Sequence, residues 1–147
     1  MVKQIIFIVL MFVANVSFSQ KGTLKIIVTG IKSNNGTINV ALYNEEGKSG
    51  FLKNIETAYQ KKIVKISDKK ASIIFTNIPY GTYAISLFQD ENTNMKLDRT
   101  NVGIPVESWG VSGNTKGIAP PKFKDAKFDF KEKNKILTIK MRVFFRK

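Results

Sequence analysis

The sequence predicts an all-β protein, an antiparallel β-sandwich with one short helix. Apolar and polar side chains alternate with a period of two through six to eight short runs, as strands with one buried and one wet face do. Clusters of Gly, Asn, Asp, Ser and Pro separate the runs every eight to twelve residues, a spacing that suits a sandwich. A chain of 147 residues, 43% of them hydrophobic, amounts to a single domain with its own core.

The first strand alternates Leu24, Ile26 and Val28 with Lys25, Ile27 and Thr29. Asn35-Gly36, the strongest short hairpin signal in the chain, predicts a tight turn into a second strand with Ile38, Val40 and Leu42 on one face. Beyond a polar loop, Phe51, Leu52, Ile55, Ala58 and Tyr59 fall at helical spacing and predict one short amphipathic helix or a pair of turns. A hairpin follows, residues 63–66 and 71–75 flanking Ser67-Asp68-Lys69-Lys70. Pro79-Tyr80-Gly81 turns the chain into a strand over 82–89, with Tyr83, Ile85 and Leu87 on one face. After an Asn/Asp-rich loop and a short apolar stretch at 102–104, residues 105–121 form a long Gly- and Ser-rich connection holding the only Trp. Long loops on a rigid scaffold are where binding residues concentrate. Phe128 and Phe130, then Leu137, Ile139, Met141 and Val143, supply the closing strands.

Residues 1–19 read as a secretory signal peptide, and residues 20–147 as the mature domain. Lys3 gives the positive start, an apolar run extends from Ile5 to Val16, and Ser17 and Ser19 are small residues ahead of a cut before Gln20. A bilayer span needs about 20 apolar residues, more than this run offers. The expectation is an exported chain, periplasmic or extracellular, not transmembrane once the signal is removed. No Cys follows the run, so lipid attachment of the bacterial lipoprotein kind is excluded.

The chain has neither His nor Cys. That excludes disulfides, thiol nucleophiles, zinc sites of the usual ligand types and His-dependent triads. Lys and Arg number 24 against 11 Asp and Glu, a formal charge of +13. Many of these cations crowd the stretch after Pro121, interleaved with Phe123, Phe128 and Phe130. Strand alternation, Phe inward and Lys outward, accounts for the pattern without nucleic acid. For an exported protein the partners of such a face are an envelope glycan or an anionic lipid surface. A solvated basic face with no specific partner is the simpler reading of the same pattern.

The loop 90–98 has the spacing of an ion site. Side-chain oxygens stand at loop positions 1, 3, 5 and 9 (Asp90, Asn92, Asn94 and Asp98), and the Lys96 carbonyl is available at position 7. Hard oxygens from a flexible loop suit calcium better than magnesium. Position 6 is Met95 where calcium loops place Gly, and position 12 is Asn101 rather than a bidentate Glu, so the expected site is weak, about 10⁻⁴–10⁻³ M. An Asx-rich turn without an ion explains the same residues.

No catalytic residue is assigned. Ser67-Asp68-Lys69-Lys70 matches S-x-x-K but sits in a turn, and Ser112 lacks both the second Gly of G-x-S-x-G and a His to activate it. Glu107, near Trp109, is the best carboxylate for the alternative reading, a hydrolase of envelope glycans or lipids. The expected ligand surface is Glu107, Trp109, Ser112 and Asn114, with the indole stacking on a sugar or aromatic ligand or else plugging one end of the sandwich.

Taken together, Gly22-Thr23-Leu24, Val40-Ala41-Leu42-Tyr43, Pro79-Tyr80-Gly81-Thr82-Tyr83-Ala84-Ile85, Asp90-Glu91-Asn92, Lys96-Leu97-Asp98, Gly103-Ile104-Pro105, Glu107, Gly110, Ser112, Asn114, Pro120-Pro121, Phe123, Asp125-Ala126 and Phe128 form an ordered set of blocks. In these the chain resembles the DUF2141 family, small exported proteins of uncharacterised function from Bacteroidota-type bacteria. The resemblance spans the mature chain and departs from the family pattern at Met95, a Gly position, and at Gln89, a His position. It implies an immunoglobulin-like or prealbumin-like sandwich and no known activity. A further similarity, to carboxypeptidase-regulatory-like and surface-adhesin domains, implies a non-catalytic binding or structural module.

Overall fold

The computed structural model describes residues 20–113, 115 and 119–144, so residues 1–19, read above as a signal peptide, and Asn114 lie outside the described residues. Strands β1 (Lys21–Thr29), β4 (Ala71–Pro79) and β8 (Asn134–Lys140) form one sheet in the order β4-β1-β8. Strands β2 (Thr37–Asn44), β3 (Gln60–Lys65), β5 (Gly81–Asp90) and β6 (Trp109–Val111) form the other in the order β3-β2-β5-β6, and β7 (Phe128–Phe130) pairs with the start of β5. The pairings are antiparallel apart from β1 with β8, which is parallel. That pair departs from the antiparallel expectation because β8 is entered from β7 in the opposite sheet, not through a hairpin with β1.

The main core lies between the sheets. Leu24, Ile26 and Val28 of β1 and Ile73 and Phe75 of β4 meet Ile38, Val40 and Leu42 of β2 and Ile85 and Leu87 of β5, all fully or almost fully buried. The period-two alternation is thus the sandwich's inner surface. Tyr83 adds its ring to this core and donates its hydroxyl to the Pro79 carbonyl at 2.8 Å. Burial, with Tyr59 adding to it, pushes the Tyr83 phenol up to about 12.

Two expected hairpins are crossings between sheets instead. β1 and β2, which flank Asn35-Gly36, sit in different sheets, because both apolar faces must meet across the core. Gly36 is still required. Its φ is +72°, and a Cβ there would lie 1.8 Å from the Asp90 carbonyl oxygen. Ser67 and Lys70 do close a tight turn by two backbone bonds, with Asp68 and Lys69 both left-handed, but β3 then stays in the second sheet while β4 joins the first.

The helical spacing at 51–59 resolves into the pair of turns, one at 51–53 continuing a 3₁₀ segment at Lys48–Gly50 and one a 3₁₀ segment at Ile55–Thr57. Leu52 at φ +61° prevents a continuous helix, and Ile55 stays 41% exposed. Among the described residues the one short α-helix is α1 (Phe123–Ala126). The connection 105–121 also contains β6, and just after β8 Arg142 exchanges two backbone hydrogen bonds with Trp109, joining the edges of the two sheets.

The outward face of the five-stranded sheet is covered too. Ala41, Tyr43, Ala84, Trp109 and Val111 pack under Phe51, Phe123 and Ala126, forming a second, smaller core. The loops after β2 and β5 and helix α1 supply this cover, and the candidate site lies where the cover parts.

Candidate functional site

Loop 90–107 leaves the end of β5 and folds back on itself through carboxylates. Asp90 is fully buried, and its two oxygens accept the backbone N–H groups of Asn94 (3.1 Å) and Met95 (2.9 Å) and the Asn39 amide (3.2 Å). The Asp98 carboxylate accepts the side-chain amides of Asn92 (2.7 Å) and Asn94 (2.9 Å). The oxygens of those same amides accept the backbone N–H groups of Asn94 (3.1 Å) and Lys96 (2.8 Å). Asp90, Asn92, Asn94 and Asp98, picked out by spacing, come together in one polar knot, which Lys96 joins through its backbone N–H rather than its carbonyl. Among the described residues no group of three or more His, Cys, Asp or Glu side chains is arranged to hold a metal ion. Asn92 and Asn94 carry the remaining oxygens.

Met95 occupies the position that calcium loops give to Gly, and its φ is +64°, with Thr93 also left-handed at +58°. The sharp turn is therefore retained without the residue that makes it easy.

Glu107 clasps this loop. Its two oxygens accept the backbone N–H groups of Glu91 (2.9 Å) and Asp98 (3.0 Å), tying together both ends of the Asn-rich turn. Burial raises its carboxyl above the ordinary carboxylate value, the two backbone bonds pull it back, and the charges of Asp98 and Asp90 add to the rise. Ser112, also expected at a ligand surface, is buried and structural. It accepts the Ile85 N–H at 2.8 Å and donates to the Ala126 carbonyl at 2.6 Å, fastening α1 to β5.

Trp109 sits in the second core, only 8% exposed, with Phe144 stacked on it (ring centroids 5.9 Å apart, planes 20° apart) and the Arg142 guanidinium 5.9 Å from its ring centre. Its indole nitrogen has no hydrogen-bond partner among the described residues. Trp109 lines a cleft of about 290 Å³ on the outer face of the five-stranded sheet. Phe88, Leu97, Ile104, Pro120-Pro121 and Phe144 are among the other walls, and Ser86 and Arg99 are the polar residues lining it. Of the four expected ligand residues, the structure places Trp109 at this cleft. Glu107 and Ser112 line neither this cleft nor the neighbouring one, their polar atoms being taken up by backbone groups.

Leu52, Phe88, Arg99 and the proline pair were not foreseen as site residues. They come from four separate stretches that share only the outer face of one sheet, and a periodicity read along single strands carries no signal of that. The Pro120-Pro121 block, set beside Trp109 in a long loop, was the one available hint.

A family model described as an uncharacterized protein conserved in bacteria (DUF2141) matches residues 26–138, most of the chain, and the chain belongs to that family. No curated protein and no solved structure matches it.

Proposed function

We propose that this DUF2141 protein is an exported, non-catalytic binding module of the bacterial cell envelope, with the cleft over Trp109 as its ligand surface. The observation that carries the reading is the composition of that cleft, almost wholly apolar and aromatic with one cation at its edge. Small-molecule sites have this character, whereas the alternative, a carboxylate-dependent hydrolase of envelope glycans or lipids, requires an acid pair facing its substrate. Among the described residues no Asp or Glu lines this cleft, and the two oxygens of Glu107 are spent on backbone N–H groups. Export rests on the three-part pattern of residues 1–19, and no helix among the described residues is long and apolar enough to cross a membrane.

The Asp90, Asn92, Asn94, Lys96 and Asp98 loop is proposed as a weak calcium site that steadies the cleft wall. The donor set fits a hard cation. Asp98 is balanced by two neutral amides, which an ion would replace as its counter-charge. Calorimetry with calcium is expected to give heat that disappears in Asp98→Ala, and identical traces for the two proteins would remove calcium from the account. For the module itself, cell fractionation should recover the protein outside the cytoplasm with Gln20 as its first residue. A cytoplasmic, uncleaved protein would overturn export.

A further inference from the structure

The apolar cleft does not end at its own rim. A second, larger cleft of about 880 Å³ shares Leu52, Arg99 and Pro120-Pro121 with it, so the two are one continuous depression. The second is cationic. Lys48, Lys53, Arg99, Lys122, Lys124 and Lys127 line it against a single acid, Glu45. Glu45 pairs with Lys48 at 2.9 Å, while Lys53, Lys122, Lys124 and Lys127 form no ion pair among the described residues. Arg99 stands at the junction, with one guanidinium nitrogen donating to the Gly103 carbonyl at 3.0 Å.

A greasy slot that opens into a basic basin complements one kind of molecule better than a sugar or a free anion. We infer that the joined clefts bind an anionic single-chain amphiphile, its hydrocarbon chain lying over Trp109 and its headgroup among Lys53, Lys122, Lys124 and Lys127. The assignment rests on reading the protein as a binding module. The chain gains by leaving water, each methylene adding to the affinity. The headgroup meets a surplus of positive charge, and the aliphatic stems of the lysines extend the apolar lining toward it. A carboxylate or a phosphate monoester satisfies the basin equally. What the shape adds is the requirement that the charge be attached to a chain.

The only Trp in the sequence lies in the apolar cleft, so its fluorescence reports occupancy directly. The purified chain is titrated with dodecanoate, dodecyl phosphate, dodecyl glucoside and inorganic phosphate, each below its aggregation threshold. Both anionic alkyl probes are expected to shift the Trp109 emission and saturate at one per chain. The glucoside should bind at least about tenfold more weakly, and inorganic phosphate should leave the emission unchanged. In the triple variant Lys53→Glu, Lys124→Glu, Lys127→Glu, all at exposed positions, the anionic probes should fall to the level of the glucoside while the glucoside is unaffected. Val102→Asp, at a cleft residue 79% exposed, should weaken all three alkyl probes.

Equal affinity for glucoside and anionic probes, or binding that ignores the triple variant, would overturn the headgroup assignment. Probes that stay intact and unbound would overturn the amphiphile while sparing the binding-module reading. Probes recovered as cleaved products would overturn the module, and the inference with it.

Discussion

The Glu107 carboxylate accepts the backbone N–H of Asp98 at 3.0 Å while its other oxygen accepts the N–H of Glu91 at 2.9 Å. One side chain thus fixes both ends of the turn that walls the cleft. Glu107→Ala leaves both of those N–H donors without their carboxylate partner. The expected loss is roughly 1–3 kcal/mol at neutral pH, read as a lower denaturant midpoint with an unchanged slope. An unchanged midpoint would show that the clasp is dispensable.

The same carboxyl makes a pH prediction. Burial raises Glu107 above its ordinary value of 4.5, so the folded chain holds the proton more firmly than the unfolded one. Its contribution is complete below the unfolded value and is lost as pH rises through the folded value. Glu107→Ala has no proton to lose and does not mimic the protonated acid, so the stability gap between wild type and variant should narrow as pH rises from about 4.5. Urea titrations across the mildly acidic range check the sign, and a widening gap would refute it.

Met95 sits in a left-handed conformation with its side chain 59% exposed, so little packing is lost when it is truncated. A non-Gly residue there carries about 1–2 kcal/mol of strain, and Gly returns about 0.5–1 kcal/mol of that as unfolded-state entropy. Met95→Gly should therefore raise stability by up to ~1 kcal/mol. The check is the thermal midpoint, and a lower one would mean that the contact of Asn39 with the Met95 sulfur at 3.9 Å matters more than the backbone.

The sandwich was legible because the inner faces are a one-dimensional pattern. Leu24, Ile26 and Val28, and again Ile38, Val40 and Leu42, reach the core through their own alternation alone. Sheet membership was not legible. Asn35-Gly36 carries a strong local turn signal, yet the pairing of β1 with β4 and β8 is decided by which faces meet across the core. The polar knot was legible because its members lie within nine residues of one another. The roles of Glu107 and Ser112 were not, because each acts on backbone N–H or carbonyl groups, which carry no residue-type signal, Ile85 and Ala126 in the case of Ser112. A polar residue in a long loop looks the same in sequence whether it faces a ligand or fastens the loop.

Ser112→Ala tests that distinction. The substitution strips partners from two buried backbone groups, the Ile85 N–H and the Ala126 carbonyl. A loss of roughly 2–4 kcal/mol is expected, together with faster hydrogen exchange at the Ile85 amide. A ligand-contacting serine would instead leave stability untouched and alter binding alone.

Gly36 and Gly103 separate strain from collision. Both are left-handed, with φ at +72° and +83°, so any L side chain at either carries about 1–2 kcal/mol of backbone strain. At Gly103 a Cβ would meet nothing within 4 Å, and Gly103→Ala should show that strain alone. At Gly36 the Cβ would lie 1.8 Å from the Asp90 carbonyl oxygen. Asp90 cannot retreat, since its backbone pairs with Thr37 and its carboxylate holds Asn39, Asn94 and Met95. Gly36→Ala should therefore cost about 3 kcal/mol or more, because relieving the contact displaces the end of β5 along with the polar knot. Calorimetric midpoints of the two variants give the comparison. Equal losses would mean that β5 yields at Asp90 and that the knot is softer than its hydrogen bonds imply.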